Sequence, residues 1–212
     1  MNKPRVLLAD DHRIVAEGLK SLLADEFELA GIVEDGRALV QAAQELRPDV
    51  IVADISMPLL NGIEALARLK QQEPGVRVVF LTMHRDVAYA RRALQAGAAG
   101  FVLKHSASAE LVQAVHAALR GRIYVTPDLA GELMQASGQD AQRQADPIAT
   151  LTPRQREILQ LIAEGKSAKE VAAVLGLSAR TVEDHKYRLM ESLGIENSAE
   201  LIHFAIKHGV VP

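Results

Sequence analysis

Five side chains in the first half of this chain, Asp10, Asp11, Asp54, Thr82 and Lys104, are of the types that a phosphoryl-accepting pocket needs. Each follows a short apolar run. Residues 6–9 precede Asp10-Asp11, 50–53 precede Asp54, 76–81 (broken only by Arg77) precede Thr82, and 101–103 precede Lys104. Continuous apolar runs of this length suit parallel strands covered on both faces, and in such sheets the chemistry gathers at the carboxyl edge. Three carboxylates brought together there repel one another unless a cation joins them. Magnesium suits that role: it prefers oxygen ligands, uses few protein carboxylates and leaves positions for water and phosphate oxygens. A carboxylate serves as the nucleophile in covalent phosphoryl transfer, which points to Asp54. The transfer asks mainly for positioning and for neutralised oxygens, and Lys104 offers a fixed positive charge and Thr82 a hydroxyl donor. Taken singly, Asp10-Asp11 fits a solvated turn as well as a site, and Asp54 fits an ordinary loop acid. The order and the successive strand ends select the pocket.

The elements that must position these groups are legible from periodicity. Strands are expected over 5–9, 28–34, 49–53, 76–81 and 99–103, and helices over 12–24, 36–46, 61–72, 86–96 and 108–120. Turn signals separate them: Arg47-Pro48-Asp49, Asn61-Gly62, Glu73-Pro74-Gly75 and Ala96-Gly97. Five βα units in ~120 residues predict an α/β, doubly wound, five-stranded parallel sheet, because right-handed crossovers place helices on both faces.

Beyond residue 121 the texture changes. Thr126-Pro127-Asp128 starts a short helix through about residue 136, with proline at the first helical position. Residues 137–150 are rich in Gln, Asp and Ala and read as a linker. From Leu151 onward four helices are expected and no strand. Thr152-Pro153-Arg154-Gln155 and Ser167-Ala168-Lys169-Glu170 fit the capping-box pattern, Asn197-Ser198-Ala199-Glu200 is close to it, and Ser178 suits an N-cap. A helix from Ser167 to Gly176, a short turn, and a helix over 179–193 make the outline of a helix-turn-helix. The expected division is therefore 1–121, a linker with a short helix over 122–147, and an all-α four-helix domain over 148–212.

Composition bounds the function classes. The 212 residues suffice for two small domains, and the hydrophobic fraction of 49% with 24% charged residues is ordinary for globular chains. The absence of cysteine excludes disulfides and thiolate zinc sites and makes cytosolic residence the default expectation. No apolar run approaches the ~18 residues of a membrane span, and Met1-Asn2-Lys3-Pro4-Arg5 leads straight into a strand. Residues 1–121 carry 14 basic and 15 acidic side chains, 122–147 carry 2 and 4, and 148–212 carry 8 and 8. No segment has the strongly basic footprint of a non-specific nucleic-acid binder, so any DNA contact must come from local geometry.

Residues 1–121 resemble the receiver domain of two-component response regulators. The resemblance is carried by Asp10-Asp11, Asp54-Ile55-Ser56-Met57-Pro58 with Asn61-Gly62 behind it, Leu81-Thr82-Met83, and Gly100-Phe101-Val102-Leu103-Lys104. It implies a flavodoxin-like fold in which Asp54 takes a phosphoryl group from a sensor histidine kinase. It also implies that Asp10, Asp11, Asp54 and the Ser56 backbone carbonyl hold Mg2+, and that Thr82 moves toward the phosphoryl group and draws Phe101 inward. Phe101 stands where many receivers carry tyrosine, and it lacks the hydroxyl hydrogen bond. His105 stands where many carry proline, so no cis peptide is expected there. Met57 alone suits packing, and His84 and His105 suit loop positions.

The tail resembles the LuxR-type helix-turn-helix of NarL–FixJ regulators. Its matching pieces are 151–157, Gly165-Lys166-Ser167, Val171-Ala172, Leu175-Gly176-Leu177-Ser178, and Thr181-Val182 with His185. By implication the 179–193 helix enters the major groove and the last helix offers a dimer surface. The base-reading positions fall on Glu183, Asp184 and Tyr187, while Lys166, Thr181, Lys186 and Arg188 suit phosphate contacts that place the helix without reading sequence. Acidic side chains can accept from cytosine N4, yet Glu183 and Asp184 also suit a helix N-terminus through its dipole. His185 suits packing or a backbone phosphate, and the apolar stripe 201–206 suits either intradomain core or a dimer face. The expected function is a cytoplasmic, phosphorylation-controlled, DNA-binding transcription regulator, dimeric when phosphorylated, that is not an enzyme beyond slow self-dephosphorylation. The alternatives are an aspartyl-phosphate hydrolase or phosphotransferase, and a phospho-dependent protein adaptor that does not bind DNA.

Overall fold

The computed structural model describes residues 3–83, 87–139 and 147–211, with the backbone alone over 135–139. Two apolar faces of one sheet organise the N-terminal half. The strands are β1 (Arg5–Ala9), β2 (Glu28–Val33), β3 (Val50–Ala53), β4 (Val78–Thr82), β5 (Gly100–Leu103) and β6 (Tyr124–Val125). They run parallel in the order β2-β1-β3-β4-β5-β6. Helices α1 (Arg13–Leu23) and α5 (Ala107–Leu119) cover one face, and α2 (Gly36–Leu46), α3 (Gly62–Gln72) and α4 (Val87–Gln95) cover the other. Successive strand side chains point to opposite faces. Val50 and Val52 therefore enter the core beneath α1 and α5, while Ile51 and Ala53 enter the core beneath α2 to α4.

The sheet has one strand more than the five read from the sequence. Tyr124-Val125 is too short to register as a periodic run. It is fixed on β5 by the Tyr124 amide donating to the Ala99 carbonyl at 3.1 Å and the Thr126 amide donating to the Phe101 carbonyl at 3.0 Å. Helix α6 (Pro127–Gln139) follows and sends Leu129 into the core that holds Phe101 and Tyr89. Of the segment read as a linker, residues 140–146 lie outside the described residues, as does His84.

Four helices make the C-terminal half: α7 (Pro153–Ala163), α8 (Ala168–Leu175), α9 (Ala179–Leu193) and α10 (Ser198–Lys207). Thr152 and Ser167 form complete capping boxes, and Asn197 accepts from the Glu200 amide at 3.0 Å. Ile158, Leu159, Leu161, Val171, Val182, Leu189 and Leu201 form their common core. Buried aliphatic side chains of this size contribute about 1.5–3 kcal/mol each. Ser178 caps α9 by accepting from the Thr181 amide at 3.0 Å. Ser178→Ala should cost about 1 kcal/mol, read as a lower melting temperature of the C-terminal half. Among the described residues no helix is long and apolar enough to cross a membrane.

The two halves are in contact through α7. Glu157, with a side chain only 6% exposed, pairs with Arg68 of α3, lies 3.5 Å from Arg37 of α2 and takes a 3.1 Å hydrogen bond from its neighbour Arg154. In the reciprocal pair, Arg156 of α7 meets the buried Glu64 of α3. Burial and the adjacent Arg68 hold the Arg37 guanidinium below its usual pKa, with Glu157 opposing them.

Candidate functional site

Three parallel strands, β1, β3 and β5, end at the acidic pocket. Asp10 follows β1 and Asp54 follows β3, and the registration Ala9↔Ala53 sets the two acids side by side. The Asp54 amide donates to the Ala9 carbonyl at 2.8 Å, which continues the ladder one residue into the loop. Lys104 follows β5 and reaches back: its Nζ lies 2.6 Å from Asp54 Oδ2 and 2.7 Å from Asp10 Oδ2. Both carboxylates are nearly closed to solvent, at 6% and 2% exposure. The Ser56 amide donates to Asp54 Oδ1 at 3.3 Å, and the His12 amide to Asp10 Oδ1 at 2.9 Å. Gly62 lies against this loop. A β-carbon there would stand 2.4 Å from the Asp54 carbonyl oxygen, so the Asn61-Gly62 step permits the α3 N-terminus to pack beneath Asp54.

The electrostatics are asymmetric. Burial pushes the Asp54 carboxyl above its ordinary pKa, with the hydrogen bond and charge of Lys104 opposing and Asp10 reinforcing. For Lys104 burial works against the ammonium, but hydrogen bonds to Asp10 and Asp54 and their charges outweigh it and raise the pKa. Raised folded-state values mean that Lys104 stabilises the fold at neutral pH, losing this only as alkaline pH rises through its folded pKa. The raised Asp54 carboxyl favours the fold in acid, and that contribution is lost as pH rises through its folded pKa. In chelator at neutral pH, Asp54→Asn should therefore raise the melting temperature, with the advantage shrinking as the solution is acidified into the carboxylate range. A series of thermal melts against pH checks this.

The structure brings the expected metal-binding acids Asp10, Asp11 and Asp54 into one cluster. Ligand atoms of Asp10, Asp11, His12 and Asp54 all lie within 4.8 Å of one another. Asp11 Oδ1 is buried without a hydrogen bond and faces His12 Nδ1 at 2.9 Å. A carboxylate-rich set with an unsatisfied buried oxygen fits a hard divalent cation. His12 was not singled out from the sequence, where only its adjacency to Asp10-Asp11 marks it. Its ring is 66% exposed and sits at the rim.

Thr82 closes β4 and is fully buried, in register with Leu103 at the end of β5. Phe101 is fully buried, in the core with Met57, Tyr89 and Leu129. Since β6 and α6 close the sheet edge beside it, no swing from outside is needed to bury the ring. No cis peptide occurs among the described residues, at His105 or elsewhere.

The second site is the outer face of α9. Val182 and Leu189 turn into the core. Asp184, Tyr187 and Arg188 are exposed, Tyr187 at 66%. Glu183 and Lys186 are half-buried, with 3.9 Å between their charged groups. Thr181 Oγ1 lies 2.8 Å from Ser178 Oγ, within the cap. Lys166 precedes α8, with its Nζ 3.7 Å from Glu164. The last helix keeps Leu201 and Ala205 buried and leaves Ile206 49% exposed.

Comparison with known proteins supports both halves. Residues 6–116 match the family model for the response regulator receiver domain, and 149–205 match that for bacterial regulatory proteins of the luxR family. The transcriptional regulatory protein MctR of Rhizobium johnstonii is 38% identical over 211 residues, covering 99% of this chain and 96% of that protein. The RcsB response regulator of Salmonella typhimurium superposes with a TM-score of 0.68 at 29% identity, covering 98% of this chain and 99% of that one. RcsB in complex with DNA superposes at 0.60 and 29% identity, covering 96% and 98%. A pocket of acids closed by a lysine, joined to a capped helix-turn-helix, thus places the chain in the response regulators as a receiver domain followed by a LuxR-type DNA-binding domain.

Proposed function

We propose that this transcription regulator is switched by phosphorylation of Asp54 by a sensor histidine kinase. Asp10, Asp11, Asp54 and the Ser56 carbonyl would hold Mg2+, which when bound neutralises phosphoryl oxygens. The Asp54 carboxylate attacks phosphorus in line with the leaving group, Lys104 holds the anion, and the Thr82 hydroxyl donates to it. The observation that carries this reading is Lys104 within 2.7 Å of two carboxylates that follow two other strands and are only 2% and 6% exposed. On the output side Glu183, Asp184 and Tyr187 would face base edges, with Lys166, Thr181, Lys186 and Arg188 on backbone phosphates. The exposed Asp184, Tyr187 and Arg188 support it, as does the DNA complex of RcsB. A helix-turn-helix of zero net charge binds weakly alone, so two copies on a two-part site are expected, gaining avidity where both halves are reachable.

Acetyl phosphate with Mg2+, followed by borohydride trapping and peptide mapping, tests the acceptor. The reading requires the reduced residue at position 54. Trapping elsewhere, or none in a folded protein, contradicts it.

A further inference from the structure

The strand that presents Lys104 is held by residues from the segment expected to be a linker. Phe101 of β5 pairs with Val125 of β6, and the Phe101 carbonyl accepts from the Thr126 amide at 3.0 Å. Two residues on, the Leu103 amide turns to the same side, but β6 has already ended at Val125. A side chain takes the place of the next strand carbonyl. The Thr126 hydroxyl accepts from the buried Leu103 amide at 3.2 Å and lies 2.8 Å from a carboxylate oxygen of Glu110 in α5. An amide can only donate and a hydroxyl carries one proton, so that proton goes to Glu110. Glu110 also takes a hydrogen bond from Tyr124, whose hydroxyl is held above its usual pKa by burial and by the Glu110 charge.

Thr126 has little freedom of its own. It is 1% exposed, and its carbonyl accepts from the Leu129 and Ala130 amides that open α6, at 3.0 and 3.1 Å. Leu129 in turn is buried in the core. Leu103, the residue that Thr126 fixes, immediately precedes Lys104. The lysine must bring its ammonium to Asp54 and Asp10 on a flexible four-carbon stem, so its aim depends on where its backbone starts. On its far side the Ala107 amide donates to the Lys104 carbonyl and closes a tight turn. Two backbone hydrogen bonds therefore bracket the lysine, one of them supplied by Thr126.

We propose that Thr126 is a positioning residue for Lys104, its hydroxyl fixing the carboxyl end of β5 so that the ammonium stands between Asp54 and Asp10. This rests on the reading of Asp54 as acceptor and Lys104 as the charge that holds the anion. Thr126 touches none of the reacting atoms and acts only through β5. Thr126→Val keeps the shape of the side chain and removes both of its hydrogen bonds. The Leu103 amide is then buried without a partner, and the end of β5 shifts to regain one. A displacement of about 1 Å caused by a distant substitution can slow a positioned reaction by ~100-fold.

The full-length protein with acetyl phosphate and Mg2+ on phosphate-affinity gels tests this, with Thr126→Val and Thr126→Ser made in wild-type and Lys104→Ala backgrounds. Thr126→Val should lower the initial rate of labelling at Asp54 by roughly 10-fold or more. Thr126→Ser keeps both hydrogen bonds and should restore the wild-type rate. In the Lys104→Ala background Thr126→Val should cost almost nothing further, because effects that pass through one residue do not add. An equal loss in both backgrounds would make Thr126 a merely structural residue and overturn the proposal. A wild-type rate in Thr126→Val, or a Thr126→Ser protein as slow as Thr126→Val, also overturns it. Should Thr126→Val fail to fold, Glu110→Gln decides, since it weakens the charge-assisted bond to the hydroxyl from a half-buried position on α5. A loss confined to the background that keeps Lys104 supports the proposal, and an equal loss or none overturns it. If wild type takes no label at Asp54, the acceptor assignment falls and this inference with it. A labelled wild type matched by Thr126→Val removes the inference alone.

Discussion

Lys104→Ala should lower phosphoryl acceptance at Asp54 by about 100-fold or more, the usual consequence of removing one preorganised charge from a water-excluded reacting centre. Lys104 is the cation that bridges Asp54 and Asp10, at 2.6 and 2.7 Å. Its removal leaves two nearly buried carboxylates facing each other, and the carboxyl already raised by burial loses the hydrogen bond and charge that oppose the shift. The midpoint for loss of acceptance on acidification should then move to higher pH. Bound Mg2+ replaces part of this charge, so the defect should deepen as Mg2+ is lowered. Initial rates of acetyl phosphate uptake across pH and Mg2+ measure it. A rate within 2-fold of wild type at low Mg2+ would remove Lys104 from the chemistry.

Glu157→Ala should release the DNA-binding domain from the receiver. Glu157 is the shared counterion of Arg37, Arg68 and Arg154, at 6% exposure. Deleting one partner of a buried pair leaves uncompensated charge and costs about 3–5 kcal/mol. Two receiver arginines would be left in that position, so most of the cost falls on the docked state and little on either separate fold. The Leu59 and Asn61 amides, which donate to Glu164 and Gln160, report the change site by site. Their hydrogen exchange should speed by roughly 100-fold or more, given a factor of ten per 1.4 kcal/mol. Amides in β1 and β3 should keep wild-type protection. Unchanged exchange at Leu59 would mean that the ion pairs contribute nothing to docking.

What the sequence discloses and what it conceals follow from the range of the interactions. Strand ends and helix caps are local. Apolar runs before Asp10, Asp54, Thr82 and Lys104 became β1, β3, β4 and β5, and the signals at Ser178 and Asn197 became the N-caps of α9 and α10. The convergence of Asp10, Asp11, Asp54 and Lys104 was legible because parallel sheets gather their carboxyl ends. Short or distant features were not. Two residues of β6 carry no periodic signal. The burial of Phe101 depends on that strand and on α6. Glu157, Gln160 and Glu164 look like ordinary helical polar residues, because their receiver partners lie 89 to 120 positions away. The left-handed Leu59 follows from those same distant contacts and from nothing in its own type.

Gel-shift titration on a selected DNA duplex, with and without acetyl phosphate and Mg2+, comparing wild type with Asp54→Ala, bears most directly on the coupling of pocket to helix. The expected result is tighter binding of phosphorylated wild type and no change in Asp54→Ala. An equal response in both proteins, or none in a wild type shown to be labelled, would contradict it.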